Sequence, residues 1–151
     1  MVATPDSSIQ TLEIIKVEEI KAPADIVFES VLAIMGPEAE MGHKKFSMTL
    51  EAWPGGRWYR DLGNRAGHFW GHVQVIKPPT LIEICGPMFM SYPAISHLQY
   101  RITGDGPTSR LQLVHKAIGL IDPQHREGVN QGWSAEVADI RNRAEKKAAK
   151  R

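Results

Sequence analysis

The residues of this chain that could carry chemistry are six histidines, one cysteine and a scatter of carboxylates, and their spacing narrows what each could do. His68 and His72 have the four-residue spacing of a helical metal motif, but Gly67, Gly71 and the flanking Phe69 and Trp70 read as strand. Four residues of strand span ~13 Å, too far for two imidazoles to share one ion. No metal site and no cofactor is expected. His115 continues the alternation of Leu111 and Leu113, so it points into an apolar interior. There it could orient the polar end of a ligand or act as an acid–base group with Tyr100 assisting. The simpler reading, and the favoured one, is a core histidine bonded to a carbonyl or to Tyr100. Cys85 ends the apolar run Leu81-Ile82-Glu83-Ile84-Cys85 and reads as a small core residue. Being the only cysteine, it forms no intrachain disulfide. No nucleophile elbow, phosphate-binding loop, dinucleotide fingerprint or zincin motif occurs. Arg57, Arg60, Asp61 and Arg65 cluster about a turn and read as a solvated ion network.

The elements that must position these residues follow from periodicity. Thr11 to Ile20 is a strand rich in β-branched residues, and residues 1–10 before it read as a disordered tail. Ala22-Pro23 breaks the strand. Ala24 to Met35 has apolar residues at helical spacing and stops at Gly36-Pro37. A short irregular segment runs to Lys44, and six strands follow. Phe46 to Ala52 alternates; Pro54-Gly55-Gly56 turns; Arg57 to Leu62 and Gly67 to Lys77 follow; Pro78-Pro79 ends the latter; then comes Leu81 to Cys85. Ile95 to Thr103 puts Ser96, Leu98, Tyr100 and Ile102 on one face. Arg110 to Ile118 does the same with Leu111, Leu113, His115 and Ala117. Asp122-Pro123 then opens a long helix, along which Val129, Trp133, Val137, Ile140 and Ala144 form one apolar stripe. Consecutive strands with short turns imply an antiparallel sheet.

The fold class expected is therefore α+β: a curved antiparallel sheet of about six to seven strands around a long C-terminal helix, as a single domain over residues 11–148. The chain has 151 residues, with 18 basic against 17 acidic and a formal net charge of +1. That balance argues against a nucleic-acid groove. No stretch reaches the ~20 apolar residues of a membrane span, and the start lacks the pattern of a secretory signal. The expectation is a reduced, cytoplasmic, soluble protein.

Several short motifs share an order and spacing with a known family. Trp53-Pro54-Gly55-Gly56-Arg57, then Gly71-His72-Val73, then Pro78-Pro79 with Leu81, resemble the START-like SRPBCC superfamily. The branch they look most like is the one named after the activator of the heat-shock-protein-90 ATPase. Gly104 to Gly119 and Gly132-Trp133 agree, so that the likeness runs from about Leu12 to Lys147. It implies a helix-grip fold, seen in lipid carriers, hormone receptors and polyketide cyclases. The co-chaperone that names the branch carries a further N-terminal domain, and no counterpart of it is expected here.

One amphipathic helix cannot cover all of a long curved sheet, so the remainder is filled by side chains or left as a pocket. The leading functional expectation is a cavity that binds a small, apolar or amphipathic molecule. Phe28, Leu32, Leu98, Tyr100, Leu113, His115, Trp133 and Val137 would line it, with Met88, Met90 and Tyr92 as a rim. Gly128 and Gly132, four apart in the final helix, would widen the space beside Trp133. The alternatives are a cyclase- or hydratase-type enzyme using His115 and Tyr100, and a protein-interaction module of co-chaperone kind, a homodimer included. The facing of Trp58 and Trp70 stays open, because a bulge would reverse it.

Overall fold

A computed structural model describes residues 8–151. The elements are β1 (Gln10–Ile20), α1 (Ala24–Met35), β2 (Glu40–Met41), β3 (Lys44–Lys45), β4 (Thr49–Leu50), β5 (Arg57–Gly63), β6 (Ala66–Lys77), β7 (Leu81–Gly86), β8 (Ala94–Thr103), β9 (Ser109–Gly119) and α2 (His125–Ala149). Seven strands make one antiparallel sheet in the order β1-β9-β8-β7-β6-β5-β4, and β2–β3 is a separate hairpin. The two helices cover one face of the sheet, which is the helix-grip arrangement expected. Most of the expected tail lies outside the described residues, and Gln10 already pairs with Gly119.

The inward face follows the alternation. Ser96, Leu98, Tyr100 and Ile102 are at most 2% exposed. On β9, Leu111, Leu113, His115 and Ala117 are buried likewise, while Gln112, Val114, Lys116 and Ile118 between them keep more surface. The stripe of α2 is buried at all five positions, and α1 presents Ile26, Val27, Val31 and Ile34. Asp122 accepts from the Gln124 amide with its side chain and from the His125 amide with its carbonyl, so the α2 cap lies three residues before the helix.

Two expectations change, and one open question is answered. The strand expected over residues 46–52 pairs with β5 only at Thr49 and Leu50. The amides of Phe46 and Met48 donate instead to Ala39 and Gly36, so that segment is tied to the end of α1. Cys85 is not core: it is half-buried on the outer face with Glu83, while Ile84 between them points in. Trp58 and Trp70 both point inward, 1% and 7% exposed, because Trp70 is the extra residue of a bulge between the Trp58–Gly71 and Tyr59–Phe69 pairs. Trp58 Nε1 donates to the Met35 carbonyl at 2.8 Å, satisfying one orphan acceptor at the end of α1.

Polar ties set where α2 lies. Arg126 donates to the Thr11 carbonyl, Arg141 pairs with Glu18, and Glu145 accepts from the Lys21 amide, so the helix is tethered to β1 at three places along its length. Arg143 joins the helices through a bidentate pair with Glu38 and a bond to the buried Ser30 hydroxyl. Around the turn before β5, Arg57 pairs with Glu51 and Arg60 lies over the Phe46 ring.

Candidate functional site

The polar groups under α2 are joined by hydrogen bonds. Trp133 Nε1 donates to His115 Nδ1 at 2.9 Å, which fixes that nitrogen as an acceptor. The other nitrogen, Nε2, then carries the proton and donates to Ser96 Oγ at 3.0 Å. Ser96 donates onward to Met90 Sδ at 3.7 Å. His115 is 0% exposed, and burial pulls its imidazole down from 6.5 to about 4, so it is neutral.

One helical turn along α2, Glu136 accepts a short bond from the Tyr100 hydroxyl. Glu136 is half-buried and Tyr100 fully so. Burial pushes the Glu136 carboxyl up to about 7; the Tyr100 bond opposes this, and nearby Asp139 adds to it. Burial, with Glu136 beside it, also raises the Tyr100 phenol well above its ordinary 10. Glu136 was missed in the sequence, where a glutamate beside an apolar stripe reads as a solvated flank. Its one signal is its position between the inward Trp133 and Val137.

The expected lining residues come together as one core. Leu98, Tyr100, Leu113 and His115 are 0% exposed, so no water-sized space touches them. Phe28, Trp133 and Val137 are 5–6% exposed, and Leu32 is half-buried. Among the rim residues, Met88 and Met90 are buried to 0% and 2%, and Tyr92 is half-buried with its hydroxyl 2.8 Å from His125 Nδ1. Two surface hollows, about 410 and 530 Å³, lie elsewhere, against Pro37 and Asp139 and against Pro23 and Ala149.

What fills the mouth of the grip is Phe89, on the loop between β7 and β8. Its ring stands 5.5 Å from Trp70, 6.0 Å from His115, 5.7 Å from His125 and 5.9 Å from Trp133. Phe89 is half-buried, so it reaches from the surface to the polar groups beneath. The loop is pinned by the Met88 amide on the Trp70 carbonyl and by the Tyr92–His125 contact.

Gly128 and Gly132 do not widen this space. Both are on the exposed side of α2, and a Cβ at either would meet nothing within 4 Å. The stripe that faces the sheet is one residue away, a rotation of about 100°. Gly128→Ala and Gly132→Ala are each expected to raise stability by about 1 kcal/mol, read as higher melting temperatures that add in the double variant.

No protein-family model and no curated protein sequence matches the chain. Its likeness to solved structures is one of fold. An uncharacterised protein from Rhizobium leguminosarum superposes with a TM-score of 0.72 at 14% identity, over 92% of this chain and 97% of that one. CalU16 from Micromonospora echinospora gives 0.58 at 17% identity, over 90% and 81%. BexL, a di-domain ARO/CYC protein of the BE-7585A biosynthetic pathway, gives 0.60 at 17%, over 91% of this chain and 50% of that one. What these structures have in common with this chain is the fold, an antiparallel sheet packed around a long C-terminal helix.

Proposed function

We propose that this protein binds a small, largely apolar molecule with a polar end, between the sheet and α2, in space that Phe89 occupies here. The observation that carries the reading is Phe89 itself: a half-buried aromatic side chain from a loop, ringed by Trp70, His115, His125 and Trp133. Swinging the loop outward would vacate an aromatic-walled slot with Ser96, His115 and Trp133 at its inner end. A ligand hydroxyl or carbonyl would bond to Ser96 Oγ in place of its 3.7 Å contact with Met90 Sδ, leaving the His115–Trp133 bond intact, and Tyr100 with Glu136 would serve a polar group one turn deeper. The wall Phe28, Leu32, Leu98, Leu113 and Val137 would supply apolar contact, at roughly 25 cal/mol per Å² buried before ordering costs.

Several finer readings belong with this one. Residues 11–148 form the binding domain. The setting is the cytoplasm, where the lone Cys85 thiol stays reduced. The branch of the activator of the heat-shock-protein-90 ATPase is supported by its two signature segments acting as one unit: the Gly55 amide donates to Val73, and the Val73 amide to Gly56. A cyclase- or hydratase-type reaction is less supported, since both nitrogens of His115 are already bonded.

Phe89→Ala tests the reading. With 8-anilinonaphthalene-1-sulfonate as probe, the variant should bind at least tenfold more tightly than the wild type, with energy transfer from Trp133 and Trp70. Native mass spectrometry of the wild type should show a discrete mass lost on denaturation. Equal, negligible dye uptake by both proteins, with no retained mass, would count against it. That outcome would favour an interaction module or homodimer, for which the outer face offers Ile95 opposite Ile118, 53% and 50% exposed, and, farther along β1, Ile15 and Val17.

A further inference from the structure

The outer face of the sheet carries a row of metal-ligating side chains that no linear spacing reveals. The register sets His72 of β6 opposite Cys85 of β7, and Cys85 opposite His97 of β8. All three face outward, because Val73, Ile84 and Leu98, their chain neighbours, are buried on the other side. Directly opposed side chains on one face of an antiparallel pair have Cβ atoms about 4.5–5.5 Å apart. Each imidazole is thus a single strand spacing from the thiol, within reach of an ion at about 2.3 Å from sulfur and 2.0–2.1 Å from nitrogen. His68 stands four residues down its own strand and is excluded.

The surroundings suit such a site. Glu83, two residues before Cys85 on the same face, holds His97 Nε2 at 2.9 Å. A carboxylate on Nε2 keeps the proton there and leaves the Nδ1 lone pair for an ion, as in carboxylate–histidine–metal arrangements. His72 is exposed, and its ring lies 4.8 Å from that of Phe69 at a tilt of 57°. The row continues at its ends into Arg57 and Lys116, whose charges would repel a cation. Each has its own carboxylate: Glu51 grips Arg57 through two bonds, and Glu13 lies 3.5 Å from Lys116. Among the described residues no three such side chains are grouped to hold an ion in the arrangement seen, so binding here requires the side chains to rotate toward one another.

We propose that His72, Cys85 and His97 bind a borderline-soft divalent cation of the zinc class, with Glu83 supporting His97 and a fourth position open to water or an anion. One thiolate and two imidazoles select zinc or cobalt over magnesium or calcium, which prefer oxygen. The site lies on the opposite face of the sheet from the ligand slot and is independent of it.

The test uses the full chain, stripped of metal under reducing conditions and titrated with Zn²⁺ and, optically, with Co²⁺. One equivalent should bind, and Co²⁺ should give a thiolate-to-metal charge-transfer band. Cys85→Ser should abolish the band. His72→Ala and His97→Ala should each weaken Zn²⁺ at least tenfold, Glu83→Gln about tenfold, and His68→Ala should change nothing. His72 is exposed, so its alanine variant reads binding without threatening the fold. No charge-transfer band in the wild type, or unchanged Zn²⁺ affinity in His72→Ala and Cys85→Ser, would overturn the proposal.

Discussion

Glu136→Gln should make the stability of the protein climb by about 3 kcal/mol between pH 4 and 6.5, over a range where the wild-type contribution of this site is nearly flat. Two groups with opposite shifts compensate one another. His115 is held at about 4 against its ordinary 6.5, so across that interval the unfolded chain takes a proton that the folded one refuses. Stability from this group is present above pH 6.5 and is lost as the pH falls to 4. Glu136 is held at about 7 against 4.5, so the folded state keeps a proton that the unfolded one releases. Its stability is present below pH 4.5 and is lost as the pH rises to 7. Between pH 4.5 and 6.5 each state holds one proton on this pair, on Glu136 when folded and on His115 when unfolded, and no net uptake accompanies folding. Each gap spans about 2.5 pH units at about 1.4 kcal/mol per unit, hence about 3 kcal/mol. His115→Gln should unmask the opposite trend, a decline of similar size from pH 4.5 to 7. Urea midpoints at half-unit pH intervals, each variant minus wild type, would check this. Parallel profiles for all three proteins would mean that the two protons are not held as the burial of these groups implies.

The second large effect belongs to Trp133. Trp133→Ala removes a 5%-exposed indole from the centre of the α2 stripe and should cost about 3–5 kcal/mol. Trp133→Phe separates the causes. It keeps most of the apolar surface but leaves His115 Nδ1 buried without its donor, at about 1–3 kcal/mol. Moving the proton to Nδ1 offers no escape: the Ser96 hydroxyl can then donate to Nε2, but the Nδ1 proton is left buried without an acceptor. Denaturant unfolding at pH 7 gives both numbers. A Trp133→Phe cost within 0.5 kcal/mol of zero would show that the bond contributes little beyond packing.

How far the fold can be read from residues alone depends on where the backbone bonds go. In β8 and β9 each strand pairs on both sides, so alternation and facing coincide and the inward lists need no correction. The bounds of α1 are set by Pro23 and Gly36, which act locally. Phe46 to Ala52 alternates equally well, yet its amides turn to the end of α1, a competition that no pattern within the segment records. Cys85 shows the limit of hydrophobicity as a guide to facing. The run Leu81 to Cys85 is nearly continuous, and only its pairing with β8 shows which members point out. For the site, His115, Tyr100 and Trp133 were legible because each continues a periodic face. Glu136 and the His72–Cys85–His97 row were not, because their meaning depends on which strand or helix lies alongside.

The glycines of the Trp53–Arg57 turn also gain a physical reason. A Cβ on Gly56 would fall 1.9 Å from the Glu51 carbonyl oxygen, which is backbone and cannot step aside. Gly56 is required by that close approach, whereas Gly55 meets nothing within 4 Å and is required by its φ of +83°.

The ties between α2 and β1 have a consequence for how the molecule meets its own kind. An eleven-residue border strand, unpaired along one side, is a template on which a stray chain can polymerise. Here the Thr11 carbonyl and the Lys21 amide, at opposite ends of that border, are already taken by Arg126 and Glu145. The last helix therefore does more than roof the interior: it occupies a backbone polar group near each end of that edge and shortens the stretch open to a second chain. Until its final turns have been synthesised and docked, the nascent sheet has an open flank.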